Sequence, residues 1–349
     1  MWHDHWMGDL IAQGINIGSI SLRDIVLPGT HDSATFDISN WRPLKPYAQC
    51  QALDIGQQLH LGIRFLDLRF EYRHGDFFAH HSLVETNTTL EKIMGDISAF
   101  FTDPTHSHEL LVLRVSHLNI KNQIREGDLL QQLTLFSDQI NSRLACRPQP
   151  RSVDSATSQT LNQLLSDGKQ IVVIFENQYF PDEYVEDNYP VWCNDNDSNG
   201  NRVLTMDQVW ADTEDINDLE HKLTEYQNEE INQSSLFVLQ AVLTPRVFKE
   251  LEEQTRGTVP PFFAGLGEKL NSAEVEEKIE QGFLPPSIWK LSQENNGNLL
   301  AWIATDAVKR RLNIIFMNFV GQEFSQWRGK DLVDIVMEIN KQKVFLSSL

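Results

Sequence analysis

DIVLPGTHDSATF, residues 24–36, begins with the apolar run Ile25, Val26 and Leu27 and delivers Thr30, His31, Asp32 and Ser33. The run reads as a short strand that breaks at Pro28-Gly29, where proline sets the exit angle and glycine turns without a Cβ clash. A strand that ends on a histidine beside a carboxylate is how barrels and parallel sheets place catalytic groups. The same residues also suit a loop histidine followed by a helix-capping Asp or Ser. The motif alone leaves both readings open.

Two stretches further on narrow them. In GIRFLDLRF (62–70), apolar Ile63 and Phe65 stand among Arg64, Asp67 and Arg69, a strand whose charge gathers toward its C-terminal end. In GDFFAHHSLVET (75–86), a tight turn at His74-Gly75-Asp76 leads through Phe77-Phe78-Ala79 to the pair His80-His81. Two histidines (His31 and His81), an arginine and carboxylates near strand ends are the groups phosphoryl transfer needs. One imidazole serves as base, the other as acid, and a guanidinium spreads the charge on the phosphate oxygens. Adjacent histidines also suit a metal site or plain surface polarity.

LPGTHDSATF, GIRFLDLRF and FAHHSLVET, in this order and spacing, resemble the X-domain of phosphatidylinositol-specific phospholipase C, in particular its single-domain, metal-independent type. The resemblance is strong over residues 22–86 and runs in outline from Trp6 to about Phe324. It implies that His31 is the general base on the inositol 2-hydroxyl and His81 the general acid toward the diacylglycerol oxygen. Arg69 would neutralise the phosphate, Asp32 would polarise the acid side, and His80 would support His81. It implies no cofactor: calcium-dependent relatives carry a carboxylate at the Arg69 position and an Asn after the first histidine, and a guanidinium repels a divalent ion. The substrate implied is a phosphoinositide-type lipid at a membrane surface. One departure stands out. Where the family's late strand usually ends in an Asp that supports the base, IIFMNFVG presents Asn318. Asn orients the ring but brings no charge for the imidazolium, unless Asp24, Asp67 or Glu176 fills in. Ser116, Glu176 and Arg246 stand near strand ends as headgroup-binding candidates. A metal-dependent phosphodiesterase acting on glycerophosphodiesters or another phospholipid, or a lipid- or inositol-phosphate-binding module that lost turnover at Asn318, are the alternatives.

A chain of 349 residues holds one large domain or two smaller ones, and 41% hydrophobic content is enough for a real core. No run approaches the ~18 apolar residues of a transmembrane helix, and Met1–Asp9 has neither a basic nor an apolar leader region. The expectation is a soluble chain, cytoplasmic or exported without a classical signal peptide, that associates with membranes peripherally. Three separated cysteines imply neither a disulfide framework nor a zinc site. A formal charge of −20 argues against nucleic acid as partner and sits awkwardly with an approach to anionic lipid. Docking would need a less acidic active face or exposed aromatics such as Trp2, Trp6 or Trp41, residues that serve equally well in packing.

Apolar strands are expected at 109–118, 171–178, 235–245 and 312–321, and helices at 45–61, 88–102, 126–146, 159–166, 213–230 and 298–310. Alternation of buried strands with amphipathic helices indicates a parallel α/β architecture. With at least six such strands, a single distorted (β/α) TIM-type barrel over residues 1–349 is expected, as the resemblance also implies. An acidic, turn-rich insertion at 180–202 reads as a loop over the barrel mouth. Within it DNDSNG (195–200) starts like a calcium-binding loop, but the twelfth position is Met206 rather than Glu.

Overall fold

The opening motif forms β1, Leu27–Thr30, which lies between two parallel neighbours. On one side is β11, Ile314–Met317, with Leu27 opposite Ile314; on the other is β2, Phe65–Arg73, with Gly29 opposite Phe65. The computed structural model describes residues 3–40, 42–82, 84–119, 141–145, 153–175, 192, 195–196, 202–203, 206–228, 234–246, 271–282, 284–306, 312–322 and 330–347.

The strand does not break where its sequence implied. Pro28 and Gly29 lie inside the ladder, opposite Ile315 and Phe316, and the backbone turns only after Thr30. Gly29 is needed for closeness rather than for turning. A Cβ there would meet Phe65 Cδ1 at 2.8 Å and Phe316 Cβ at 3.1 Å.

Beyond β2 the parallel arc continues through β5 (Leu111–Asn119) to β6 (Ile171–Phe175). Beyond β11 it continues through β10 (Leu236–Gln240) to β9 (Met206–Val209). Every residue of β1, β6, β10 and β11 is buried, as expected for strands covered on both faces. Ile174 of β6 bridges in parallel to Trp192, which carries the arc one step further. No ladder among the described residues joins β6 to β9, so the barrel is a distorted one, not closed by their hydrogen bonds. Off the C-terminal half of β2 runs an antiparallel hairpin, β3 (Asp76–His81) and β4 (Val84–Thr89), which lifts His80 and His81 over the barrel mouth.

Several expected elements are shifted. The helix expected over 45–61 is two, Lys45–Ala48 and Ile55–Leu61. Between them Cys50 and Gln51 go to the core, and Asp54 starts the second helix with a capping box to Gln57. Gly62 ends that helix in the left-handed region, with φ 113°. The helix expected at 298–310 begins ten residues earlier, at Ile288, just after the start signal Pro285-Pro286-Ser287. Of the helix expected at 126–146 only the end is described. There Asn141–Arg143 is a 3-10 turn and Leu144 bridges to Ile171. Strand β9 and the helices Ser272–Glu280 and Leu332–Ser347 were not anticipated. In the 180–202 segment, Trp192 is fully buried and donates its Nε1–H to Ala145 O rather than lying over the mouth. Asp195–Asn196 (β7) and Arg202–Val203 (β8) pair antiparallel, and the rest of DNDSNG lies outside the described residues. Among the described residues, no helix is long and apolar enough to cross a membrane.

Candidate active site

The C-terminal ends of β1, β2, β3, β10 and β11 converge on a cavity of about 360 Å³. His31 follows β1 directly and Asn318 follows β11. Parallel pairing of those strands places His31 Nδ1 2.8 Å from Asn318 Oδ1. Gln51 fastens the two strand ends from behind, donating from Nε2 to His31 O (2.8 Å) and Met317 O (3.0 Å). Arg69 comes from β2 at a point where its register against β5 shifts, a bulge that re-aims the side chain. Its Nη2 lies 2.9 Å from His31 Nε2 and 3.2 Å from Asp67 Oδ2, and its Nε lies 3.0 Å from Asp32 Oδ1. Across the cavity His81 donates from Nδ1 to Ala48 O at 2.8 Å, and its Nε2 is 3.4 Å from Asp32 Oδ2. The His31 and His81 rings are 6.0 Å apart and nearly perpendicular.

The backbone is strained beside each of these groups. Asp32, Ser82 and Phe319, which directly follow His31, His81 and Asn318, have φ of 43°, 53° and 50°. Non-glycine residues in this region persist only where the surroundings hold them, and they gather at functional sites. Asp32 Oδ2 and His80 Nε2 are buried and make no hydrogen bond.

The tautomer of His31 follows from its partners. A guanidinium carries no lone pair, so His31 Nε2 must accept from Arg69, and Nδ1–H therefore donates to Asn318 Oδ1. Burial, and then the Arg69 cation, hold His31 down at about 4, so it is neutral and basic at Nε2. Burial and Arg69 likewise lower His81, to about 3. Burial raises Asp32 despite the opposing Arg69. Burial would raise Asp67 too, but Arg69 and Arg114 outweigh it and hold its carboxyl well below the usual range. Arg69, between two carboxylates, stays charged against the cost of burial.

The remaining candidates are placed as follows. His80 lines the cavity and turns Nδ1 toward Ser82 O at 3.3 Å. Ser116 does not reach the cavity; it is fully buried and hydrogen-bonds Asp67. Arg246 points outward, with its side chain 80% exposed and its Nε 3.2 Å from Glu214. Glu176 lies outside the described residues. Asp24 bonds Ser21, away from His31, and Asp67 is engaged by Arg69 and Arg114, so neither fills the carboxylate place at Nδ1. Trp6 is packed in the core with its Nε1–H on Gly62 O, while Trp2 and Trp41 are outside the described residues. Among the described residues, exposed aromatics include Trp210, which lines the cavity, Trp289, next to cavity-lining Ile288, and Phe345 in the helix Leu332–Ser347. Sequence reasoning missed Trp210 and also Arg114, the lone cation in the apolar run ELLVLRV, which lines the cavity and reaches Asp67 at 3.4 Å. His31, Asp32 and Cys50 also come within range of a common ion. However, burial pushes the Cys50 thiol well above its ordinary value, and Arg69 already occupies the charged side of Asp32.

Two imidazoles and a guanidinium thus meet at the C-terminal ends of parallel strands on a distorted (β/α) barrel. Crystal structures of phosphatidylinositol-specific phospholipase C from Staphylococcus aureus share this fold, with a TM-score of 0.62 at 15% identity over 97% of both chains. PI-PLC X domain-containing protein 3 of Danio rerio is 24% identical over 281 residues, covering 72% of this chain and 77% of that one. The variant-surface-glycoprotein phospholipase C of Trypanosoma cruzi is 24% identical over 169 residues, 39% of this chain, and the chain spans only 43% of that relative's length. No protein-family model matches. The chain is thus similar in sequence to PI-PLC X-domain proteins and in fold to bacterial phosphatidylinositol-specific phospholipase C.

Proposed function

We propose that the chain is a metal-independent phosphodiesterase that cleaves phosphatidylinositol-like lipids to diacylglycerol and a cyclic inositol phosphate. The observation that carries this reading is Arg69, held by Asp32 and Asp67 with its Nη2 2.9 Å from His31 Nε2 and with His81 on the far side of the cavity. A phosphodiester anion seated on Arg69 displaces the His31 contact and presents the inositol 2-hydroxyl to Nε2. His31 takes the hydroxyl proton as that oxygen bonds to phosphorus. The bond from phosphorus to the glycerol oxygen breaks, and that oxygen takes a proton from His81 Nε2. Opening of the cyclic product by water uses the same two groups in exchanged roles.

His81 is neutral before substrate arrives, and the bound anion is what changes this. A negative charge beside Arg69 offsets the cation that depresses both histidines, and Asp32 at 3.4 Å stabilises the imidazolium. Arg69 also takes the place a divalent ion would need. The neutral Asn318 favours a second reading, a lipid-binding module of weak turnover, because it gives the protonated base no charge. Docking at a lipid surface would use Trp210 and Trp289 beside the mouth, which suits a chain of charge −20.

Phosphorus NMR with phosphatidylinositol micelles and excess EDTA tests the reading. A cyclic phosphodiester signal that disappears in His31→Ala and ignores the chelator is expected. Turnover that needs added calcium would overturn the assignment of Arg69, and binding without turnover would favour the module.

A further inference from the structure

The opposite end of the barrel holds a second group of titratable side chains that the chemistry above does not use. Asp4 stands just before the helix Trp6–Ala12, His60 is in the last turn of Ile55–Leu61, and His106 ends the 3-10 turn Pro104–His106 that leads to β5. This is the N-terminal side of β2 and β5, where Arg64 donates to Asp4 O, away from the strand ends that carry His31 and His81.

His106 is 2% exposed and its ring stacks on Phe100 at 3.8 Å. Its Nδ1 is 2.6 Å from Phe100 O, a carbonyl that can only accept, so Nδ1 carries a proton. Nε2 is buried and has no hydrogen-bond partner. It faces Asp4 Oδ2 at 3.8 Å, too long for a hydrogen bond, and the same oxygen is 3.6 Å from His60 Nδ1. All three atoms lie within 4.8 Å of one another.

An unsatisfied buried imidazole nitrogen aimed at a carboxylate oxygen is costly unless something positive sits between them. Ligand atoms around a tetrahedral zinc lie ~3.3 Å apart for bonds near 2.0 Å, so a small inward movement of Asp4 and of His60, whose side chain is 48% exposed, completes the geometry. The Phe100 carbonyl that fixes the His106 ring is the kind of outer partner that orients zinc-bound histidines. The nearby Arg64 does not oppose a cation, because Glu109 already balances its charge at 2.8 Å.

We propose that Asp4, His60 and His106 form a zinc site, with water in the fourth position, that fastens the N-terminal segment to the barrel floor. Two imidazoles and a carboxylate select zinc over magnesium or calcium. The site is independent of the proposed phosphodiesterase chemistry.

Zinc titrated into the metal-free full chain by calorimetry, with cobalt(II) as a spectroscopic probe, tests this. One tight equivalent, the absorption of four-coordinate cobalt and a zinc-dependent rise in Tm are expected. His60→Ala and Asp4→Asn, both at partly exposed positions, should weaken binding on the order of 100-fold while circular dichroism stays unchanged. His31→Ala, which removes the other histidine cluster, should leave binding intact. Unchanged binding in the His60 and Asp4 variants, its loss in His31→Ala, or an octahedral cobalt spectrum would overturn the proposal.

Discussion

Arg64 and Arg69 stand at opposite ends of one short run of backbone and have opposite surroundings. Arg64 is fully buried, and its donors are used. Nε meets Glu109 Oε2 at 2.8 Å, Nη1 meets Leu59 O and Ile63 O at 2.9 and 2.8 Å, and Nη2 donates to Asp4 O. Glu109 in turn accepts the Gly8 amide at 3.0 Å. Arg69 has as much charge around it but less closure. Its side chain is 18% exposed to the cavity, and its Nε contact with Asp32 at 3.0 Å makes no hydrogen bond. A satisfied buried ion pair holds elements together. A charged group with open valence beside a cavity is available to exchange one partner for another.

The largest effect separating the two should come from conservative change at the mouth. Arg69→Lys keeps the charge but loses the fork that meets Asp32, Asp67 and a phosphate together. A loss of kcat on the order of 10²–10³ is expected with Tm near that of the parent chain. A fall in Tm with kcat retained would mean that Arg69 is structural and would erase the contrast. At the floor the reverse is expected. Glu109→Ala leaves the Arg64 cation buried without its counter-charge, so urea unfolding should show a loss of about 3–5 kcal/mol, with kcat unchanged below the melting range.

A smaller effect sharpens the picture of the base. Asn318→Asp puts a full negative charge 2.8 Å from His31 Nδ1, which raises the imidazole toward its ordinary value and stabilises it when protonated. The acid limb of the kcat/KM profile should move to higher pH, with kcat rising about tenfold. An unmoved limb would mean that another group titrates there.

The smallest effect is on stability against pH. His31 and His81 titrate near 4 and near 3 when folded, because burial and Arg69 disfavour their charged forms. Unfolded, each titrates near its ordinary 6.5, so between these values the unfolded chain binds more protons. Stability should be level above pH 6.5 and fall on acidification below it, by about 1 kcal/mol per pH unit for each histidine. Denaturant melts at pH 7 and pH 5 measure this, and His31→Gln should reduce the slope. An equal slope in that variant would place the titration elsewhere.

What was legible in the sequence was what repeats locally. Buried parallel strands are near-continuous apolar runs, so β5, β6, β10 and β11 could be read to within a few residues, and the barrel followed from their number. His31, Asp32, Arg69 and His81 were legible because each sits in a short motif at a strand end, and Asn318 because IIFMNFVG ends in one. Helix boundaries failed where local signals conflicted. The polar run ENNGN hid a helix that starts at Ile288, and a continuous apolar stripe over 45–61 hid the dip of Cys50 and Gln51 into the core.

The order of motifs along the chain carried by itself the resemblance to the PI-PLC X-domain, the parallel α/β class and the residues that can carry charge and protons. Only the tertiary structure decided which of them meet. Gln51, Arg114 and Ser116 serve the site through contacts across the barrel that no spacing encodes, and Arg246, a candidate by position, faces solvent. The tautomer of His31 and the neutral state of both imidazoles likewise depend on burial and on one guanidinium brought in by the pairing of β1 with β2 and a bulge against β5. Those are long-range facts, because desolvation and Coulomb interaction depend on distance in space and not along the chain.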